Sequence, residues 1–415
     1  MCRVRGFSKI LWCWCAPHVH VANLCSFRAL TGHFRFVKRW RRPVERPHSW
    51  LFGLGGKMIL DGCAIVVLEV VTPEMRKSTE VTLDDLALAH KMDCQEESEE
   101  SGDERRKERP VLAEEQGQDM PVDIGSIELD SDAEEVDLNH CRIGKIERFE
   151  TLRNVRVLCL RQNVIKKIEN LESLTMLQEL DLNDNLLTRI ENLNALESLE
   201  ILDLSFNSLR KIEGLERLSK LKKLFLVNNK IVKVEKLEHL QELEMLELGS
   251  NRIRVLENFE KLLRLEELFL GKNKITKLQN LDYFANLMVL SLQSNRLTKI
   301  EGLRFLVNLQ ELYLSHNGIE IIEGLENNRK LTTLDIASNR IKKIENLNHL
   351  VHLQEFWMND NLISNWNDLD ELNNAKELQT IYLERNPLHQ DPQYRRKIML
   401  VLPWVQQIDA TFVRI

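Results

Sequence analysis

One feature limits the fold of this chain more than any other, and it is a 22-residue period in the C-terminal part. An asparagine recurs at this interval ten times, and the residues around it follow the pattern L-x-x-L-x-L-x-x-N-x-[IL]-x-x-[IVL]. Repeats of this kind bury their apolar faces only against their neighbours, so the chain folds by stacking one unit on the next. The recurring asparagines are Asn163, Asn185, Asn207, Asn229, Asn251, Asn273, Asn295, Asn317, Asn339 and Asn361.

The consensus is typical of leucine-rich repeats. Its L-x-L core alternates with period two, which predicts a short strand with both leucines facing the interior. Stacked units place these strands side by side and parallel, about 4.8 Å apart, in one concave sheet. The fold class is therefore an α/β leucine-rich-repeat solenoid, or horseshoe, with short helices or 3₁₀ turns on its convex side.

The repeated asparagine ends each strand. We expect its amide to hydrogen-bond the backbone of the neighbouring coil, since a buried unsatisfied amide costs about 1–3 kcal/mol. A second turn is marked by Asn or Gly ahead of a leucine, because these residues tolerate a positive φ. Lys236 and Arg148 stand at this place in two units, so those two turns are expected to differ. The Asn and Gly residues are Asn170, Asn192, Gly214, Asn258, Asn280, Gly302, Gly324 and Asn346.

The composition divides the chain into four parts. Residues 1–94 form an atypical extension, 95–135 an acidic segment, 136–386 the repeats and 387–415 a C-terminal cap. The repeats comprise a partial first repeat, with Cys141 at the asparagine position, and eleven further units. The last unit is three residues longer than the others, which predicts a longer convex helix within residues 366–376.

The N-terminal extension has no clear period. Residues 1–50 hold ten Lys or Arg and a single acid, Glu45, but prolines interrupt every candidate amphipathic helix of a transit peptide. The Cys and His residues between Cys13 and His20 are spaced too closely for the usual zinc sites, so no metal is expected. We expect this extension to be poorly structured. Six of the eight cysteines precede the repeats, which favours a reducing compartment over a disulfide framework.

The acidic segment is rich in charge and poor in apolar residues. Residues 95–135 hold sixteen acids, too polar a composition to offset the entropy of folding, so the segment is predicted to be disordered. Ser101 has the acidic residue Glu104 three residues after it. Ser98 would have an acidic group at the same spacing once Ser101 is phosphorylated. Ser98 and Ser101 are therefore predicted phosphorylation sites for an acidophilic kinase.

No enzyme constellation appears in the sequence. There is no P-loop, no G-x-S-x-G and no H-E-x-x-H motif, so we expect neither catalysis nor a cofactor. The formal net charge is −7, which does not favour direct nucleic-acid binding. Within residues 59–71 the longest uncharged apolar run, from Cys63 to Leu68, is too short to span a bilayer.

The outward positions of the predicted strands point to a binding face. The residue between the two leucines of each L-x-L core should lie on the wet concave surface, and five of these eleven residues are aromatic. Exposed aromatics in line, mixed with acids, fit a partner with a basic and partly apolar surface and would repel phosphate backbones. The central residues are Cys159, Asp181, Asp203, Phe225, Glu247, Phe269, Ser291, Tyr313, Asp335, Trp357 and Tyr382.

Three further stretches carry a family resemblance. The acidic run Glu96–Glu104, the segment Val136–His140 and the ending Gln407–Arg414, together with the 22-residue repeats, resemble the leucine-rich-repeat regulatory subunits of protein phosphatase 1. The resemblance covers about residues 96–415, and residues 1–95 depart from it.

The resemblance implies a non-catalytic subunit that grips the catalytic subunit of this Ser/Thr phosphatase. It also implies a monomer within a heteromeric complex, which can include an additional phosphatase inhibitor protein. The resemblance further implies that the protein lies in the nucleus and cytoplasm and is linked to mitotic chromosome segregation. Binding would control the activity, maturation or localisation of the phosphatase. The family's gripping residues fall on Asp203, Phe225, Glu247, Phe269, Asp335, Glu355, Trp357 and Tyr382, and the strand pattern adds Tyr313.

Two alternatives from other classes stay open. One is a structural scaffold of the ciliary or cytoskeletal type, built from the same short repeats. The other is a spliceosomal adaptor, in which the repeats hold an RNA-binding protein rather than RNA. The aromatic and acidic concave pattern favours the phosphatase over the first alternative.

Overall fold

The computed structural model describes residues 129–413, Ile124, Ile127 and two short strands nearer the N-terminus. The chain divides into two compact units, residues 1–116 and 117–415. In the first unit, strands β1 (Trp50–Leu51) and β2 (Lys57–Met58) pair antiparallel. The rest of the extension lies outside the described residues, as do Ser98 and Ser101.

The second unit is a solenoid whose strands form one sheet. Twelve parallel strands of three residues each follow one another in chain order, and two strands of the cap complete the sheet. The twelve are β3 (Glu135–Asp137), β4 (Val157–Cys159), β5 (Glu179–Asp181), β6 (Ile201–Asp203), β7 (Lys223–Phe225), β8 (Met245–Glu247), β9 (Glu267–Phe269), β10 (Val289–Ser291), β11 (Glu311–Tyr313), β12 (Thr333–Asp335), β13 (Glu355–Trp357) and β14 (Thr380–Tyr382).

The predicted leucine-rich-repeat solenoid is confirmed. The middle residue of each strand is buried, and so is the leucine that follows each strand in most coils, as for Leu180 and Leu182 at 0% exposure. These side chains continue from coil to coil as a single core. Because each strand alternates in-and-out, its first and third residues face away from this core.

The asparagines form a continuous ladder between coils. Asn185 accepts a hydrogen bond from the backbone N–H of Ile165 at 3.1 Å, and its amide donates to the carbonyl of Leu160 at 2.9 Å. Both partners belong to the preceding coil. The same pattern recurs from Asn163 to Asn386, so the predicted bond to the neighbouring backbone is confirmed.

A second ladder lies at the predicted positive-φ turn. The amide of Asn346 donates to the carbonyl of Ile322 in the preceding coil at 2.7 Å. The prediction that the turns at Lys236 and Arg148 differ is wrong, because these residues have φ values of 59° and 63° like their counterparts. The backbone therefore adopts the same conformation at this turn, whatever the side chain.

The convex side consists mainly of turns. Consecutive backbone bonds such as Leu174 N–H to the Leu171 carbonyl and Leu177 N–H to the Leu174 carbonyl span three residues, as in 3₁₀ structure. Among the described residues, regular 3₁₀ helices occur at Phe149–Thr151, Trp366–Leu372 and Pro387–Gln390. The helix at Trp366–Leu372 lies in the longer repeat, where a convex helix was predicted.

The ordered array extends beyond its predicted start. Strand β3 begins at Glu135, one residue before the predicted boundary, and Ile124 is buried at 1% exposure in the same core. Ile127 and Leu129 pack against that core. The last part of the segment predicted to be disordered therefore contacts the first coil, because it supplies isolated aliphatic residues between its acids.

The C-terminal cap covers the last coil. It contains helix α1 (Tyr394–Val401) and strands β15 (Gln407–Ile408) and β16 (Thr411–Phe412). Strand β15 pairs parallel with β14, whereas β16 turns back antiparallel on β15. Asp409 accepts bonds from the N–H groups of Leu383 and Glu384 at 2.9 and 3.0 Å. In earlier coils the N–H equivalent to that of Leu383 donates to a main-chain carbonyl of the next coil, as Met358 N–H does to Tyr382.

Candidate protein-binding face

The outward residues of the strands form two parallel rows on the concave surface. Strand pairing is in register, so the third residues of successive strands lie side by side, as do the first residues. We call the third residues the central row and the first residues the outer row. Of the predicted binding residues, Glu355 lies in the outer row and the others lie in the central row: Asp203, Phe225, Glu247, Phe269, Tyr313, Asp335, Trp357 and Tyr382.

The N-terminal end of the central row is acidic. Asp181 and Asp203 lie on adjacent strands, and the guanidinium of Arg161 reaches them at 3.2 and 3.7 Å. Burial, and then the charge of Asp181, raises the pKa of Asp203. A single arginine therefore serves two neighbouring carboxylates, which leaves negative charge available to a partner.

The middle of the central row sets one carboxylate between two aromatic rings. Glu247 pairs in register with Phe225 on one side and Phe269 on the other. Burial raises the pKa of Glu247 from 4.5 to about 7, with a further contribution from the charge of Asp203. A cation brought to this position would gain from the low local dielectric, since charge interactions strengthen as water is excluded.

Further along, the two rows are joined by hydrogen bonds. The hydroxyl of Tyr313 donates to the carboxylate of Glu311 in the outer row at 2.9 Å. Asp335 is 5% exposed and accepts a bond from the N–H of Ala337 at 3.0 Å, and burial raises its pKa to about 6. Burial, followed by the charge of Glu311, also raises the pKa of Glu355.

The C-terminal end of the central row is aromatic. The rings of Trp357 and Tyr382 meet edge to face with centroids 5.9 Å apart. The Tyr382 hydroxyl accepts a bond from the side-chain amide of Gln407 in the cap at 2.9 Å. The buried Nε1 of Trp357 has no hydrogen-bond partner among the described residues, so this N–H donor is unsatisfied within the protein.

A further line of residues was not singled out by sequence reasoning. Two places after each central-row residue the side chains are small in the middle of the array, where Val227, Gly249 and Gly271 follow one another. They follow Phe225, Glu247 and Phe269 by two residues, and Val227 is itself buried at 7% exposure. The period-two alternation, extended one step past the strand, is the signal that identifies them.

Gln407 was also missed as a contributor to the face. It belongs to the cap rather than to a repeat, and β15 continues the sheet beyond β14. The sequence Gln407-Ile408-Asp409 has one buried apolar residue between two polar ones, which is the only local signal for its role.

The concave face combines aromatic rings with carboxylates. Within the described part of the chain, no group of three or more His, Cys, Asp and Glu side chains could hold a metal ion. No helix among those residues has the length and apolarity needed to cross a membrane. Partly exposed aromatics with desolvated carboxylates suit a basic, partly apolar protein surface.

Comparison with solved structures finds the same fold in other repeat proteins. An internalin of Listeria monocytogenes superimposes with a TM-score of 0.55 and 24% identity, covering 68% of this chain and 87% of that one. A leucine-rich-repeat protein of Leptospira interrogans gives the same TM-score and identity over 67% of this chain and 84% of that one. These likenesses concern the fold alone.

Comparison with sequences is more specific. Family models described as "Leucine-rich repeat" and "Leucine Rich repeats (2 copies)" match residues 173–268 and 309–415, and residues 285–327. Protein phosphatase 1 regulatory subunit 7 of Homo sapiens is 81% identical over 322 residues, 78% of this chain and 88% of that protein. Its counterpart in Xenopus tropicalis is 84% identical over 296 residues, 71% of this chain and 86% of that protein. The chain therefore belongs to the leucine-rich-repeat family of protein phosphatase 1 regulatory subunit 7.

Proposed function

We propose that this protein is a regulatory subunit that binds the catalytic subunit of protein phosphatase 1 through its concave face. The relatives that cover most of the chain carry the name of a phosphatase 1 regulatory subunit. The observation that supports the concave face as the contact is its central row, which joins buried or half-buried carboxylates and partly exposed aromatics in one register. The outward positions of a purely structural sheet need neither.

The central row offers two kinds of contact to a partner, apolar and charged. Phe225, Phe269 and Trp357 supply large rigid apolar surfaces, the residue type that dominates the energy of protein interfaces. Asp203, Glu247 and Asp335 supply negative charge that is already largely desolvated. Cationic side chains of the phosphatase would therefore find carboxylates whose desolvation cost was met when this protein folded.

The proposed subunit is non-catalytic and holds no cofactor. Its binding controls the activity, maturation or localisation of the phosphatase, in the nucleus and cytoplasm and in mitotic chromosome segregation. The protein acts as a monomer in a heteromeric complex that can include an additional phosphatase inhibitor protein. It contacts neither nucleic acid nor a membrane directly in this role.

Calorimetric titration of the full chain with the purified catalytic subunit tests the proposal. Phe269→Ala/Trp357→Ala removes two aromatics of the central row and should weaken binding by at least about 2 kcal/mol. The matched control is Tyr283→Ala/Phe305→Ala, which removes two exposed aromatics that lie outside the strands. The control should bind like the unmodified chain.

A well-folded chain that shows no binding would contradict the proposal. A scaffold of the ciliary or cytoskeletal type, or a spliceosomal adaptor, would then be the better assignment. Equal losses in the central-row variant and the control would leave the phosphatase as partner but refute the concave face as the contact.

A further inference from the structure

A second surface, apart from the concave face, carries a marked excess of positive charge. We call Cys141 and the recurring asparagines from Asn163 to Asn361 the ladder positions. In the four residues after each of them, the sequence holds eighteen Lys or Arg and one acid, Glu320. The chain as a whole has a formal net charge of −7, so charge is strongly segregated. We call the residues at the first, third and fourth places after each ladder position the basic flank.

Ion pairs within the described part of the chain occupy only some cations of the basic flank. Three of them pair with glutamates of the second turn: Lys167 with Glu169 at 3.4 Å, Arg189 with Glu213 at 3.2 Å and Lys343 with Glu345 at 3.0 Å. By contrast Arg252, Arg254 and Lys277 are exposed and form no ion pair with any described residue. Their charges are therefore available to a ligand.

Aliphatic side chains stand among these cations. Five large hydrophobic residues of the basic flank are between 45% and 54% exposed, and they recur along the array rather than at one end. They are Leu186, Val232, Val255, Ile321 and Leu362. Val255 follows Arg254 directly, so cationic and apolar contacts are available within one repeat.

A second set of residues in the same coils shows that the repeat itself does not require this positive charge. We call the residues at the ninth to fifteenth places after each ladder position the opposite flank. The residues at the ninth to fifteenth places after each ladder position from Cys141 to Asn339 hold twelve acids and ten Lys or Arg. That surface is mixed in sign, although it belongs to the same coils. The excess therefore belongs to the basic flank, and the nine glutamates at the sixth place after the ladder positions reduce it without cancelling its eighteen cations. These glutamates are Glu147, Glu169, Glu191, Glu213, Glu235, Glu257, Glu301, Glu323 and Glu345.

We propose that the basic flank binds an acidic segment of a protein partner that also carries aliphatic side chains. Carboxylates of the segment would meet the unpaired cations, and its aliphatic residues would cover the exposed Leu, Val and Ile side chains. A nucleic acid fits less well, because the basic flank has no aromatic residue on which a base could stack. The surface is distinct from the concave face, so one molecule can use both at once.

Fluorescence anisotropy with the full chain tests this. The probe is a fluorescein-labelled synthetic peptide in which glutamates alternate with leucine or valine. Arg252→Glu/Arg254→Glu should weaken its binding at least about tenfold, since two repulsive contacts replace two attractive ones. The control Arg217→Glu/Lys220→Glu makes the same change of net charge on the opposite flank and should weaken binding less than about threefold.

Three outcomes would overturn the proposal. Equal losses in the two variants would show that only net charge matters. Equal affinity for a peptide with serine in place of leucine and valine would remove the aliphatic contribution. Binding of an oligouridine as tight as that of the peptide, with the same dependence on Arg252 and Arg254, would assign the basic flank to nucleic acid.

Two further measurements show whether a loss of peptide binding comes from unfolding or from failure of the proposed function. Thermal unfolding of both variants reports whether the fold is kept, and Arg254→Gln/Lys277→Gln replaces the first variant if it is not. Titration with the phosphatase catalytic subunit should be unchanged by Arg252→Glu/Arg254→Glu. Loss of both ligands would contradict the separation of the two surfaces.

Discussion

The side-chain amide of Asn328 donates a hydrogen bond to the main-chain carbonyl of Leu306 at 2.9 Å, one repeat upstream at the equivalent position. Asn328 is 0% exposed, and its Oδ1 has no hydrogen-bond partner among the described residues. The Leu306 carbonyl also accepts a backbone bond from Leu309 at 3.1 Å. An asparagine thus occupies a place that the neighbouring repeats give to leucine, with one polar atom left unsatisfied.

Replacing this residue should therefore stabilise the protein. Asn328→Leu removes the unsatisfied oxygen and adds apolar surface to the core, and the Leu306 carbonyl keeps its backbone donor. We expect the free energy of unfolding to rise by about 1–3 kcal/mol. Urea denaturation measures the change, with the exposed Asn327→Ala as control. A lower stability would mean that the asparagine is needed for the turn.

The two turn types give a prediction about glycine. Gly324 has φ 71°, and a Cβ there would lie 2.5 Å from the carbonyl oxygen of Ile300. Gly324→Ala should cost about 1–2 kcal/mol of stability, because it adds both backbone strain and a clash. Gly324→Asn should cost less, since an amide at this place bonds the preceding coil, as Asn346 does.

Gly318 supplies the control for this experiment. It has no positive φ, and the atom nearest to an added methyl group would be the Leu297 carbonyl oxygen at 3.4 Å. Gly318→Ala should therefore change the urea midpoint little. Equal midpoints for the Gly318 and Gly324 alanine variants would contradict the strain argument.

Replacing a core residue should lower the free energy of unfolding more than replacing a residue of the concave face. Leu226 is 0% exposed within the stacked core, so Leu226→Ala should lower the free energy of unfolding by about 2–5 kcal/mol. Trp357→Ala should cost about 1 kcal/mol or less, because its side chain stands on the concave surface and its buried N–H is unpaired. Thermal melts compare the two. Similar losses would contradict the assignment of Trp357 to a binding role.

The raised pKa of Glu247 predicts how the stability of the protein changes with pH. Its pKa is raised from 4.5 to about 7 by burial, so the folded protein holds a proton that the unfolded chain has released. Stability should therefore fall as pH rises from about 4.5 to 7, by up to about 3 kcal/mol from this group, and should be level beyond. Glu247→Gln should flatten that part of the stability profile, measured by urea denaturation at several pH values.

The same carboxyl group should make partner binding depend on pH. A basic partner favours the ionised form, so affinity for the phosphatase catalytic subunit should increase between about pH 6 and 8. Glu247→Gln should bind more weakly and lose most of this increase. Parallel pH profiles for the variant and the unmodified chain would show that Glu247 does not contact a cation.

The repeat explains why so much of the fold could be predicted. A period of 22 places each leucine and asparagine against its copy in the next coil, so a single consensus determines both strand register and ladder bonds. The concave placement of Phe269 and Trp357 follows from the same alternation. Their role as binding residues remains a prediction, because strand position alone does not identify a partner.

The rest depends on contacts that a local pattern does not encode. Lys236 adopts a positive φ because the coils on either side impose it, although its own residue type disfavours it. Ile124 is buried although it lies in a strongly acidic stretch, since burial depends on where the chain meets the first coil. The raised pKa of Glu247 comes from burial between two rings that are 22 residues away in either direction.

The hairpin of β15 and β16 has a consequence for assembly. A stack of identical parallel coils offers an open strand edge at its end, to which a coil of another molecule could add, and so on without limit. Here β16 reverses direction, and Arg395 donates to the carbonyls of Ile408 and Thr411 at 2.7 and 3.2 Å. A further coil would find neither the right strand direction nor free carbonyls at these two places. The cap thereby stops fibre growth at this end of the molecule.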